Sequence, residues 1–167
     1  MPVRGGTCRG AAEPPAGRLV GDGFGSWSDI ICGIGWVTLR AGTLEAANMS
    51  FGVRITKNGT ADDGKCGRSN RDPLHNAICR SVTAGLPYGV AAGNTDRHVA
   101  DYVPASYDEV ITVSALADYN GLPGGGAPRT CYEGGPDDTF ARFSNFGTDV
   151  DVGAPGVCIK STWKAVS

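Results

Sequence analysis

Apolar residues recur at helical spacing early in the chain. Trp27, Ile30, Ile31, Ile34 and Val37 share one face, which predicts a helix over 27–40, with Gly42 placed to end it. Leu44 to Phe51 is a short, mostly apolar run and predicts a buried strand. Residues 53–71 are polar, with Asn58-Gly59 and Asp63-Gly64 as turn signals. Asp72 can then cap a second helix whose first turn takes Pro73. Leu74, Ala77, Ile78, Ser81 and Val82 form its apolar side, and Gly85 stops it. Strands follow at 88–92 and 110–116, the second β-branched over 110–113. Residues 117–140 read as Gly- and Pro-rich loop, and short extended pieces flank Ala154-Pro155-Gly156 at 150–152 and 157–162. Residues 1–21 show no periodicity and read as an irregular segment.

Helix, strand, helix, strand, strand predicts an α/β fold with a mainly parallel sheet flanked by helices. Chemistry in such sheets collects where strands end. Two such ends are Ser50-Phe51-Gly52 and Ala91-Ala92-Gly93-Asn94.

Charge and composition narrow the options. The 167 residues carry a formal charge of −2, which offers no basic face for nucleic acid. No run reaches the ~18 apolar residues of a membrane span, so membrane association is not expected. The opening Met1-Pro2-Val3-Arg4 lacks an apolar stretch, so no signal peptide is read there. Six cysteines without a CxxC pair favour disulfides in an oxidising compartment over buried thiols. Spacing leaves about 15 full pairings open. Cys66–Cys79 is the preferred bridge, Cys131–Cys158 follows by elimination, and Cys32 reads as a small packing residue.

Other patterns are weak. Gly23-Phe24-Gly25 before a helix lacks the third glycine of a dinucleotide loop. Cys66, His75 and Cys79 could touch zinc, but no fourth ligand stands nearby, so no metal site is assigned. Asp62 and Asp63 lack the spaced oxygens of a calcium loop and read as a solvated turn, so structural calcium is possible but not assignable. Asn58-Gly59-Thr60 fits a glycosylation sequon.

Longer stretches converge on one family. Asn48-Met49-Ser50-Phe51-Gly52, Ala77 to Gly85, and Tyr88 to Asn94 resemble, in order, segments of the subtilisin-like serine proteases. Pro104-Ala105-Ser106-Tyr107 with Val110 to Ala115, Phe143-Ser144-Asn145-Phe146-Gly147, and Val150 to Gly156 continue the resemblance at similar spacing. It covers roughly 22–163, and residues 22–167 are read as part of a catalytic domain. The resemblance implies that Asn94 is a side-chain donor of the oxyanion hole, where a fixed N–H meets charge that develops in the transition state. It implies that Ser50, Phe51, Gly52, Ala91, Ala92 and Gly93 wall the pocket beside the scissile bond. Gly23 and Gly25 would pair with an extended peptide, and Trp27 would border a further subsite. It also implies a peptide or protein substrate, no cofactor, and an extracellular parent protein.

The departures concern the attacking groups. The family's Asp-Thr-Gly, His-Gly-Thr-His and Gly-Thr-Ser-Met contexts are absent, and the only histidines are His75 and His98. Neither they nor Ser144 or Ser161 stand in a triad context. The expectation is a segment of a serine endopeptidase that does not cut peptides by itself. The alternatives are a non-catalytic peptide-binding module and a fragment with no independent role.

Overall fold

Ser26 starts the first helix because its hydroxyl accepts the Asp29 N–H at 3.2 Å, satisfying one of the donors a helix start leaves free. Helix α1 spans Trp27–Thr38 and buries Ile34. Helix α2 spans Pro73–Thr83, and Asp72 Oδ1 accepts the Leu74 and His75 N–H groups at 2.9 and 3.2 Å. Gly85, at φ +96°, closes it. The computed structural model describes residues 26–55, 62–131 and 134–160. The irregular segment expected over 1–21, the candidate residues Gly23 and Gly25, the sequon at 58–60 and Ser161 lie outside those residues.

Seven strands are present among the described residues: β1 Ala47–Met49, β2 Val53–Arg54, β3 Tyr88–Ala91, β4 Tyr102–Val103, β5 Ile111–Ala117, β6 Thr139–Phe140 and β7 Val152–Pro155. The main sheet has the order β1-β3-β5-β6, with β7 also on β5. β7 runs parallel to β5, with Val113 opposite Val152 and Leu116 opposite Pro155, whereas β6 pairs antiparallel. The sheet is therefore mixed, flanked by helices, as an α/β layer requires. β2 and β4 form a separate antiparallel ribbon, Val53 opposite Val103.

The chain divides into two compact units. Among the described residues, one holds 26–48, Asp62–Gly89 and Asp108–Val110. Its buried apolar residues include Ile34, Leu74, Ile78, Leu86 and Tyr88. Burial raises the Tyr88 phenol pKa, and the Ser81 hydroxyl at 2.8 Å opposes that rise. The other holds 49–55, Val90–Tyr107 and 111–160. There Ala117, Ala141 and Val157 pack with Tyr119, Cys131 and Phe143.

Three expectations need correction. The strand expected over 44–51 shrinks to Ala47–Met49, because the Arg40 carbonyl takes the Thr43 and Leu44 N–H groups and keeps 40–44 in a turn. The extended pieces expected at 150–152 and 157–162 give way to one strand, Val152–Pro155, which runs through Ala154 and Pro155 and stops before Val157. Gly153 allows the close approach, since a Cβ there would lie 3.1 Å from Leu116. Cys32 is disulfide-bonded rather than a packing thiol, its partner lying outside the described residues. Cys66 bonds Cys79 and Cys131 bonds Cys158, with Cα atoms 5.6 and 6.0 Å apart.

Candidate functional site

Two of the sequence-selected stretches meet at one end of the sheet. The Ala47 N–H donates to the Pro87 carbonyl at 2.9 Å, so β1 and β3 begin side by side. Their carboxyl ends therefore leave the sheet together, carrying Ser50–Gly52 and Ala92–Asn94. Ala92 is buried and its N–H donates to the Val113 carbonyl at 2.9 Å, which ties the end of β3 to β5. Ser50, Gly52, Ala91 and Asn94 are exposed, and Phe51 and Gly93 half-buried. A Cβ on Gly52 would lie 3.1 Å from the Val103 carbonyl oxygen, so glycine suits that position.

Gly93 sits at φ +110°, a backbone state that favours glycine, and turns the chain as it leaves β3. Asn94 follows, with no hydrogen bond to its side chain among the described residues. The next turn is tied down closely. Asn145 is 0% exposed. Its Oδ1 accepts the Thr95 N–H, the Thr95 hydroxyl and the Arg97 N–H at 3.1, 2.9 and 3.2 Å. Its Nδ2 donates to the Ala92 carbonyl at 2.9 Å. The Thr95 hydroxyl also meets the Tyr102 phenol at 2.6 Å. Sequence reading quoted Asn145 only within a longer run; the signal it missed is a carboxamide whose partners lie about fifty positions away.

Ser144 and His98, which sequence reading kept out of a triad, have local roles. Ser144 is 1% exposed, and its hydroxyl accepts the Ala115 N–H at 2.9 Å. His98 is exposed, caps a single 3-10 turn at Val99–Asp101, and stands edge-on to Phe146 with ring centres 6.0 Å apart. Ser144 and His98 thus each have a local structural partner. Trp27 opens α1 and is 40% exposed.

His75 is fully buried, with Nε2 2.8 Å from Glu109 Oε2 and Nδ1 3.6 Å from Asp63 Oδ1. One donor atom each of Asp62, His75 and Glu109 lie within 4.8 Å of one another, as do those of Asp118, Asp137 and Asp138. These are the mixed or oxygen donor sets that could face a cation. Cys66 and Cys79 are spent on their disulfide. Asp62 accepts the Gly64 and Asp108 N–H groups at 2.6 and 2.7 Å, the work of a loop organiser. The Asp137 carboxyl is held below its ordinary pKa by hydrogen bonds from the Tyr119 and Ala127 N–H groups, against the opposing effect of burial.

With the strand-end asparagine and its glycine turn in view, comparison with known proteins is informative. The model of the subtilase family, peptidase S8, matches residues 15–167. The extracellular serine proteinase of Thermus sp. (strain Rt41A) is 31% identical over 158 residues, 95% of this chain and 30% of that protein. The subtilisin-like proteinase Spm1 of Pyricularia oryzae is 30% identical over 145 residues, 87% of this chain and 24% of that protein. The crystal structure of a cold-adapted subtilisin-like serine proteinase superposes with a TM-score of 0.55 at 26% identity, covering 84% of this chain and 40% of that one. The chain belongs to the subtilase family of serine proteases. It spans between 24% and 30% of these curated relatives' lengths. Among the described residues no helix is long and apolar enough to cross a membrane.

Proposed function

We propose that this chain is the oxyanion-bearing part of a subtilisin-like serine endopeptidase. The exposed Asn94, set at the carboxyl end of β3 by the Gly93 turn, carries the reading. Peptide attack puts negative charge on the former carbonyl oxygen, and an amide N–H waiting there lowers the barrier. Ser50–Gly52 and Ala91–Gly93 form the flanking walls, and an extended peptide or protein is the substrate of the complete enzyme. That enzyme works outside the cell through an acyl-enzyme and needs no organic cofactor.

The chain by itself does not cut peptides. Its sequence lacks the family's contexts for the nucleophile, base and orienting carboxylate, and a serine without its base is a weak nucleophile. An active-site fluorophosphonate probe is expected to leave the purified chain unlabelled, read by intact-protein mass spectrometry. One probe per chain would overturn the inactivity. The persistence of exposed walls without the attacking groups also favours a second reading, a non-catalytic peptide-binding module. Open-reading-frame sequencing separates the two: triad contexts upstream and downstream support the endopeptidase, and expression at this length supports the module.

A further inference from the structure

Asn94 has no side-chain hydrogen bond among the described residues, so its placement comes from the backbone on either side. One buried side chain bonds that backbone on both sides of Asn94. We infer that Asn145 is a positioning residue for Asn94: its carboxamide clamps the turn before and after the oxyanion donor. The inference rests on the proteolytic reading above.

The clamp uses both ends of one amide. Upstream of Asn94, Asn145 Nδ2 donates to the Ala92 carbonyl and the Asn145 backbone N–H donates to the Gly93 carbonyl, both at 2.9 Å. Downstream, Oδ1 gathers the Thr95 and Arg97 N–H groups and the Thr95 hydroxyl. Two backbone N–H donors can face only an oxygen, and the Ala92 carbonyl can face only the NH₂ group, so the partners define which way the amide points. Aspartate would keep the acceptor and lose the donor. Alanine would lose both and leave the Ala92 carbonyl and the part-buried Thr95 and Arg97 N–H groups without these partners, the costlier result.

Two further features make the clamp specific. A Cβ on Gly93 would clash with Asn145 Nδ2, so the close approach needs glycine at 93. Asn145 is itself anchored: the preceding Ser144 accepts the Ala115 N–H of β5, and the Phe146 N–H donates to the Arg97 carbonyl at 3.0 Å. A rigid strand thus supports a side chain that supports the loop carrying the donor. That is how a donor is held in advance of reaction.

The test uses the ¹⁵N-labelled chain and two readouts. Amide exchange at Thr95 and Arg97 reports the clamp, with Asn76 in α2 as the control. Shifts of the Asn94 side-chain amide on titrating millimolar acetyl-Ala-Ala-Ala-Ala, with its free carboxylate, report the peptide site. In Asn145→Ala, exchange at Thr95 and Arg97 is expected to speed up about tenfold or more while Asn76 is unchanged, and the Asn94 response is lost. Asn145→Asp is expected to keep Thr95 and Arg97 protected. Unchanged protection and an unchanged Asn94 response in Asn145→Ala would overturn the inference. So would unprotected Thr95 and Arg97 in the wild-type chain. Should Asn145→Ala loosen the whole chain, Asn145→Asp decides: protection supports the clamp and its loss overturns it. A wild-type Asn94 that ignores the peptide with the clamp intact sinks the proteolytic reading alone.

Discussion

Asp63 shows how much a single side chain can organise. Its Oδ1 accepts the Lys65 and Gly67 N–H groups at 2.9 and 2.8 Å, and its Oδ2 the Ser69 N–H and hydroxyl, both at 2.7 Å. Burial pushes the carboxyl pKa up, but the Ser69 hydroxyl and the backbone donors outweigh it and hold the group well below the usual 3.8. In the unfolded chain those donors are gone, so the unfolded form takes up the proton first as pH falls. The stability Asp63 supplies is therefore present above the ordinary carboxylate range and lost from about pH 5 downward. Asp63→Asn is expected to lower the urea midpoint at pH 7 and to flatten its decline towards acid. A parallel decline in both proteins would contradict this account.

At the scale of the element, α2 is specified by contacts within a few residues. Asp72 caps it, Pro73 fits the first turn without needing an N–H, and Gly85 ends it in the left-handed region. Asp72→Ala should cost about 1 kcal/mol of unfolding free energy, and Asp72→Ser should recover most of it. Chemical denaturation of the three proteins checks this. The β2–β4 ribbon is the opposite case. Val53 and Arg54 find Val103 and Tyr102 across about fifty residues, and strands two residues long leave no alternation to read. The same distance hid Asn145, whose partners cannot be named until the chain has folded.

For the whole molecule, exposed apolar side chains set the main expectation. Ile111 on β5, Val152 on β7 and Phe140 on β6 are 48%, 46% and 42% exposed. Solvent-facing positions this large on neighbouring strands normally meet a covering layer. The chain spans 40% of the solved cold-adapted proteinase it resembles. The purified chain is expected to bind a hydrophobic dye such as ANS and to lose its circular dichroism gradually on heating. A sharp, high-temperature transition without dye binding would show that the described residues are self-sufficient.

The sequence alone determined the two helices, the order of the main elements and the place of Asn94 at a strand end. Caps, turn glycines and apolar spacing act over a few residues and stay visible in one dimension. It also carried the Cys66–Cys79 pair, whose 13-residue separation spans one loop and about two helical turns. Only the tertiary structure decided that Cys32 is bonded, that Ala154 and Pro155 continue a strand, and that Asn145 holds the turn around Asn94. Each depends on partners distant along the chain, and a buried hydrogen bond is defined by where its donor and acceptor finish, not by either residue's neighbours in sequence.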